Sequence, residues 1–174
     1  CASKMARTFS HGGGVGVDIS KLAPRGAKVH NAAKQTSGAV SFMDLYSHVT
    51  GLIGQNGRRG ALMLSIDCNH PDVEEFIKIK SDLNRVTKAN ISIKVTREFM
   101  KAVQEDKPFT LSFTRKETGE TISKAVQARK LFHTIAEMNW NYAEPGFLFW
   151  DRIKEWNLLS NTKSFQFAGT NPCA

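Results

Sequence analysis

One stretch decides the fold: residues 11–19, which read HGGGVGVDI. Val15, Val17 and Ile19 alternate with small or polar residues, which is the pattern of a β-strand, and residues 1–10 before the glycines are predicted to be helical. A Rossmann or Walker phosphate loop has the opposite order, with the strand first and the helix second. A Walker loop also contains Gly-Lys-Ser or Gly-Lys-Thr, which this stretch lacks. The glycines therefore predict either a tight helix-to-strand turn or a phosphate-contacting turn of another kind.

The same alternation of helix and strand continues along the chain. An amphipathic helix is predicted over residues 41–53. Ser41 is expected to cap its start, and Asp44 completes a weak capping box. A polar, glycine-rich loop over residues 55–60 leads into the apolar run at residues 61–66, a predicted buried strand. Pro71 is expected to begin the next helix. Thr96 is expected to cap another.

The remaining segments complete the pattern. Strands are predicted at residues 90–95, 109–113, 147–150 and 165–168, and the longest helix is predicted at residues 124–142. Strands that alternate with helices predict the α/β class, either as an open parallel sheet or as part of a barrel.

Composition and charge limit the function classes. The 174 residues are 41% apolar and include 24 Lys and Arg against 16 Asp and Glu, for a net charge of +8. Such a chain can bury a core, which excludes a disordered protein, and its basic balance favours anionic partners. There is no run of 18 apolar residues and no secretory signal, so we expect a cytoplasmic protein without a membrane partner. Its first residue, Cys1, suggests an internal fragment, with residues 1–174 forming one partial domain.

Two polar loops are candidate nucleotide contacts. Residues 55–60 combine two arginines with glycines, and arginine offers paired donors to a phosphate or a base edge. Residues 26–38 form a second basic connection. Composition alone favours a solvated surface loop in both cases.

The three cysteines, Cys1, Cys68 and Cys173, fit neither a disulfide framework nor a zinc site. His70 and Asp72, beside Cys68, are expected to serve the start of a helix, and no metal site is predicted. Cys173 follows an apolar segment that turns at Gly169 and Pro172, which places its thiol at a loop tip. Both an inert and a reactive thiol remain open on local pattern alone.

Taken together, four segments resemble the large catalytic subunit of ribonucleotide reductase, most closely the class that depends on adenosylcobalamin (vitamin B12). They are GGGVGVDISKL, the long segment from PRGAKVH to VEEFI, AEPGFLFWDRI and the terminal GTNPCA, and they span the chain in the family's order. The resemblance implies roughly the first half of a ten-stranded α/β barrel with a central finger loop.

The resemblance also implies roles for individual residues. Cys173 would become a thiyl radical that removes the 3′ hydrogen of a ribonucleotide, and Asn171 would bind the ribose. Substrate contacts would come from five residues: Gly13, Gly14, Gln55, Arg58 and Arg59.

Regulation and assembly are implied as well. A deoxynucleoside triphosphate effector would contact the loop at residues 26–38 through Lys28, Lys34 and Gln35. The helix at residues 41–53 would form a homodimer interface. Adenosylcobalamin would be the cofactor, and an external thiol protein such as thioredoxin would be the reductant.

The chain departs from the family pattern at three points. The family motif continues to a glutamate two residues beyond the radical cysteine, past Ala174. The resemblance implies that the first member of the family's redox-active cysteine pair lies well upstream of the glycine turn and the second downstream of Cys173, so neither Cys1 nor Cys68 fills that role. Ala23 stands where many relatives carry arginine. We therefore expect these 174 residues alone to be catalytically inactive.

Two other function classes compete with this interpretation. The net charge and the Arg58-Arg59 loop would suit a basic α/β module that binds nucleotides or nucleic acid without catalysis, although clustered aromatic residues between the basic ones are lacking. A purely structural α/β domain would leave Cys173 and both polar loops without a role. The enzyme class that acts on nucleotides, with no DNA partner, accounts for all of these features.

Overall fold

The computed structural model describes residues 1–30, 32–53 and 60–172. Helices and strands alternate through most of this length, as the sequence predicts. In chain order the elements are α1 Ala2–Ser10, β1 Gly14–Asp18, α2 Ser41–Leu52, β2 Ala61–Asp67, α3 Val73–Lys78, a 3-10 helix Ile79–Ser81, β3 Asn90–Val95, α4 Arg97–Gln104, β4 Pro108–Thr114, β5 Thr121–Gln127, α5 Ala128–Tyr142, β6 Gly146–Phe149 and α6 Trp150–Glu155.

The main sheet has four parallel strands in the order β1-β2-β3-β6. Each strand lies beside the next one in the chain, apart from the β4-β5 pair, which forms a separate antiparallel hairpin between β3 and β6. The α/β class and the parallel sheet are confirmed. Because all four strands run the same way, their carboxyl ends share one edge of the sheet and their amino ends share the other.

The two central strands are buried on both faces. Leu62, Leu64 and Ile66 on β2 and Ile91 and Ile93 on β3 are almost fully excluded from solvent. A strand covered on both sides reads as a continuous apolar run, which is why the sequence predicts these two strands nearly to the residue. Fully burying each such side chain contributes about 1.5–3 kcal/mol to folding.

Helix starts follow the prediction at one site and differ at two. The Oγ1 atom of Thr96 accepts a hydrogen bond from the Phe99 amide at 3.2 Å, so the predicted cap of α4 is confirmed. Ser41 is the first helical residue and not the cap, because its hydroxyl donates back to the Gly38 carbonyl at 2.8 Å. Asp44 pairs with Arg85 at 2.5 Å and closes no capping box.

Pro71 does not begin α3, which starts two residues later with Asp72 at its N-cap. The reason lies outside the helix. The carboxylate of Asp72 accepts hydrogen bonds from the backbone amides of Arg25, at 3.1 Å, and Ala39, at 2.8 Å. Asp72 therefore fastens both ends of the connection at residues 26–38 to the start of α3.

The sequence prediction is wrong at two places in the second half. Residues 124–127, predicted as helix, belong to β5, which pairs with β4 from Pro108↔Gln127 to Thr114↔Thr121. Seven paired positions outweigh a weak local helical pattern. Residues 165–168, predicted as a strand, form no strand, because their aromatic rings stack instead of alternating across a sheet.

Across the described ranges, every helix is too short or too polar to cross a membrane.

Candidate functional site

The glycine turn joins α1 to β1 in the predicted order. The Gly13 amide donates to the Thr8 carbonyl at 3.0 Å, and a Cβ at Gly13 would lie 2.7 Å from the Thr8 methyl group. Gly12 has a φ of +78°, a backbone conformation that favours glycine. Both residues are therefore needed to reverse the chain at the end of α1.

The next two glycines have a different neighbour, which is the last described segment of the chain. A Cβ at Gly16 would come within 1.9 Å of the Thr170 carbonyl oxygen, and one at Gly14 would lie 3.0 Å from the ring of Pro172. Residues two apart on a strand point to the same face of the sheet. Gly14 and Gly16 therefore form a side-chain-free strip on β1, and residues 170–172 lie on it.

Pro172 also contacts the beginning of β3. The side-chain amide of Asn90 donates a hydrogen bond to the Pro172 carbonyl at 3.2 Å. Pro172 is thus held between the first residues of β1 and β3. Asn171, beside it, is exposed.

The other end of this segment is anchored by stacked rings. Phe167 lies on Trp150, with ring centres 5.1 Å apart and planes 15° apart, and Phe165 stacks on Phe167. On Trp150, the Lys94 ammonium lies 4.7 Å from the ring centre, within the range of a cation–π contact.

Lys94 belongs to a buried ion cluster at the carboxyl ends of three strands. Its Nζ atom lies 3.0 Å from Asp18 and 2.9 Å from Asp67, and its side chain is 4% exposed. Buried charges are stable only when they are paired in this way. The sequence analysis missed the cluster, although a lysine inside the apolar run of β3 and an aspartate ending each of β1 and β2 were signals that could have found it.

A cavity of about 420 Å³ lies at the amino ends of β2 and β3 and is bordered by Pro172. Its lining mixes polar and apolar residues. Its lining includes Gly60, Lys80, Lys88, Asn90 and Glu144.

Hydrogen bonds and an ion pair stabilise one wall of this cavity. The Lys80 ammonium donates to the carbonyls of Val86, at 2.8 Å, and Ala89, at 2.7 Å, and pairs with Glu144 at 2.8 Å. Glu144 in turn accepts a hydrogen bond from the Ile91 amide at 2.8 Å. Every charge on this wall is therefore engaged, while Lys88 adds a cationic side chain to the lining.

The connection at residues 26–38 contains a small hairpin. The backbones of Lys28 and Gln35 form an isolated antiparallel β-bridge, and the Val29 amide donates to the Lys34 carbonyl at 2.9 Å. Lys28, Lys34 and Gln35 are all exposed. The structure therefore brings these three predicted effector contacts together on one solvent-facing hairpin.

Four other predicted site residues lie outside the described residues: Gln55, Arg58, Arg59 and Cys173. Gly13 and Gly14 are described, and they meet Thr8 and Pro172 respectively.

The residues around Cys68 support the helix start, as predicted. His70 accepts a hydrogen bond from the Asp72 amide at 3.0 Å through Nδ1, and its Nε2 donates to the Leu22 carbonyl at 2.9 Å. Burial raises the pKa of the Cys68 thiol to about 11. Within the described part of the chain, no group of three or more His, Cys, Asp or Glu side chains could hold a metal ion.

Comparison with known proteins gives consistent matches. The family model described as "Ribonucleotide reductase, barrel domain" matches residues 1–174. The vitamin B12-dependent ribonucleoside-diphosphate reductase of Thermoplasma acidophilum is 37% identical over 164 residues, which cover 93% of this chain and 21% of the relative. The vitamin B12-dependent ribonucleotide reductase of Streptomyces avermitilis is 34% identical over 192 residues, covering 95% of this chain and 19% of the relative. A vitamin B12-dependent ribonucleoside-diphosphate reductase of Mycobacterium tuberculosis is 33% identical over 164 residues, covering 93% and 23%. The chain spans about a fifth of the length of these curated relatives.

Proposed function

Because this chain belongs to the ribonucleotide reductase barrel-domain family, we propose that it forms part of the catalytic barrel of a vitamin B12-dependent reductase that makes deoxyribonucleotides. One structural observation carries the proposal. Residues 170–172 lie across Gly14 and Gly16, so the segment that leads to Cys173 packs against the sheet.

The course of that segment supports a finger loop inside half a barrel. Gly169 lies beside Asp18, Thr170 over Gly16 and Pro172 over Gly14, so residue numbers rise along the segment as they fall along β1. The segment therefore runs antiparallel to β1, from the carboxyl edge of the sheet toward the amino edge. Four parallel strands in consecutive order, crossed on one face by such a segment, fit the first half of a ten-stranded barrel.

Cys173 would carry the radical chemistry at the end of this segment. Its thiyl radical takes the hydrogen atom from C3′ of the ribonucleotide, which breaks the C3′–H bond and forms the thiol. The 2′ hydroxyl then leaves as water with an added proton, and a dithiol supplies two electrons and becomes a disulfide. Return of the hydrogen atom from Cys173 to C3′ restores the thiyl radical. Asn171, exposed and two residues before Cys173, would hydrogen-bond the ribose.

The substrate would lie at the amino ends of β2 and β3. The cavity there is lined by Pro172 and by Gly60, which directly follows the loop with Gln55, Arg58 and Arg59 in the sequence. The guanidinium groups of that loop suit phosphate or base contacts. Its volume, about 420 Å³, lies in the range of sites for small organic ligands. Gly13 and Gly14 would bring backbone close to the same ligand.

Lys28, Lys34 and Gln35 would bind the phosphates of a deoxynucleoside triphosphate effector. The hairpin that presents them is fixed at its base by Asp72, and the side chains of Lys28 and Lys34 are exposed. For the substrate, the proposal covers both ribonucleoside diphosphates and ribonucleoside triphosphates.

A homodimer would form through α2. Phe42, Leu45 and Leu52 are 38%, 49% and 68% exposed, and their offsets of 3 and 10 residues place them on one side of the helix. An exposed apolar stripe of this kind is typical of a protein interface.

Adenosylcobalamin would generate the radical, and a thiol protein such as thioredoxin would restore the dithiol. We assign no cobalamin contact to this chain. The proposal for the chain's own residues is limited to presenting the thiol, the substrate loop and the effector hairpin.

The deciding experiment measures deoxynucleotide formation by a full-length reductase that carries this chain, with and without adenosylcobalamin. A Cys173→Ser variant is the control. We expect product only with the cofactor and none from the variant. Product from the Cys173→Ser variant at the parent rate would exclude the thiyl mechanism, and cofactor-independent product would exclude the vitamin B12-dependent class.

A further inference from the structure

We propose that Asn90 is a positioning residue for Cys173, because its side chain holds the peptide group through which the chain enters the cysteine. The inference rests on the proposed function, since it gives Asn90 a role only if Cys173 is the reacting group. The site residues assigned above by resemblance do not include Asn90.

The contact is well defined on both sides of Pro172. The Asn90 amide donates to the Pro172 carbonyl at 3.2 Å, and the ring of Pro172 lies against Gly14. Proline has no N–H, so its carbonyl is its only strong hydrogen-bonding group. Asn90 therefore engages the one backbone group by which this residue can be held.

Covalent geometry carries the effect one residue further. The carbonyl of Pro172 and the nitrogen and Cα of the next residue share one peptide plane. A hydrogen bond that fixes the carbonyl direction therefore also fixes the direction in which the chain continues to Cys173. A displacement of about 1 Å at a reacting atom can cost about a hundredfold in rate, so a single contact of this kind matters for catalysis.

The contact lies at the site and not in the core. Asn90 and Pro172 both border the cavity of about 420 Å³ in which we place the substrate. Asn90 is exposed, whereas its neighbour Ile91 is 1% exposed and belongs to the core. Replacing the Asn90 side chain therefore removes the contact to Pro172 without opening a cavity in the sheet.

The test uses Asn90→Asp and Asn90→Ala in the full-length reductase that carries this chain. Asn90→Asp keeps the size of the side chain but replaces the donor by an acceptor that faces a carbonyl. Asn90→Ala removes the donor without adding a charge near an anionic substrate. In both variants we expect kcat to fall at least about tenfold, and in Asn90→Ala, which adds no charge, KM should stay within about twofold.

The matched control is Asn161→Asp, the same substitution at an exposed asparagine that is not among the residues lining this cavity. It should keep the parent kcat and KM. Melting temperature and substrate affinity, measured by equilibrium dialysis, establish that each variant is folded.

The outcomes separate this inference from the proposed function. A parent enzyme without turnover, or an active Cys173→Ser variant, would refute the proposed function. With an active parent and an inactive Cys173→Ser variant, a kcat within twofold of the parent in both Asn90 variants would refute the role of Asn90 alone. A raised KM at constant kcat would make Asn90 a substrate-binding residue, and loss of folding in both variants would make it a structural one; either result overturns the positioning role.

Discussion

The carbonyl oxygen of Thr170 lies directly over Gly16, so close that a Cβ at this glycine would come within 1.9 Å of it. The backbone of one segment thus occupies the place of a side chain on β1. Backbone atoms cannot rotate away as the end of a long side chain can, so any larger residue must displace residues 170–172 from the sheet.

We therefore predict that Gly16→Ala lowers kcat about a hundredfold in the full-length reductase, because the displaced segment carries Cys173. The matched control is Val15→Ala on the opposite face of the same strand. It should cost about 1 kcal/mol of stability or more yet keep most of the activity. Turnover and urea unfolding of both variants decide the matter: equal activity of the two variants would contradict the role assigned to Gly16.

The ion cluster of Lys94 predicts a change in stability. Lys94→Met keeps the length of the side chain but removes the ionic partner of Asp18, which is 8% exposed and keeps its hydrogen bonds from Ser20. Breaking a buried ion pair costs about 3–5 kcal/mol, and we expect about 3 kcal/mol because Asp67 is partly exposed. Arg97→Met, which removes an exposed ion pair to Glu155, should cost less than about 1 kcal/mol.

Urea unfolding measures both variants of this comparison. Adding Asp18→Asn to Lys94→Met should recover part of the lost stability, because the amide carries no charge. A Lys94→Met variant as stable as its parent would show that the cluster does not contribute to folding.

The sequence predicted the elements whose signal is local. β2 and β3 are continuous apolar runs, and Thr96 stands at the N-cap that its residue type favours. The sequence analysis missed β5 because five of its seven residues are exposed. The segment therefore shows little of the alternation between apolar and polar residues that predicts a half-buried strand. Its pairing with β4 stabilises it, and pairing is not visible in a local pattern.

The site shows the same division. Local pattern predicted a turn at the glycines but could not reveal that Gly14 and Gly16 accommodate Pro172 and Thr170, because those partners lie at the far end of the chain. The Asn90 contact was missed for the same reason. The radical role of Cys173 came from resemblance to a family, and it stays a proposal that the experiments above test.

The apolar stripe on α2 predicts self-association. Leu45→Glu would place a carboxylate on the face with Phe42 and Leu52, and burying it in a dimer without a partner is unfavourable. We expect this variant of the full-length protein to shift from dimer toward monomer in sedimentation analysis. Leu158→Glu, at a residue 96% exposed outside α2, is the control and should not change the sedimentation profile. An unchanged dimer in the Leu45→Glu variant would place the interface elsewhere.

Cys68 predicts a dependence of stability on alkaline pH. Burial raises the pKa of its thiol from 9.0 to about 11, so the folded protein keeps the proton while the unfolded chain loses it above pH 9. The unfolded state then binds fewer protons, and the free energy of unfolding falls as pH rises from about 9 to 11, by up to about 3 kcal/mol. Urea unfolding across this range measures the fall, and Cys68→Ala should remove the part that the thiol contributes.

At pH 8 iodoacetamide should modify the exposed Cys1 far faster than Cys68, because the thiolate fraction of Cys68 is about a hundredfold lower than that of an ordinary thiol. Equal alkylation rates in the folded protein would contradict the raised pKa.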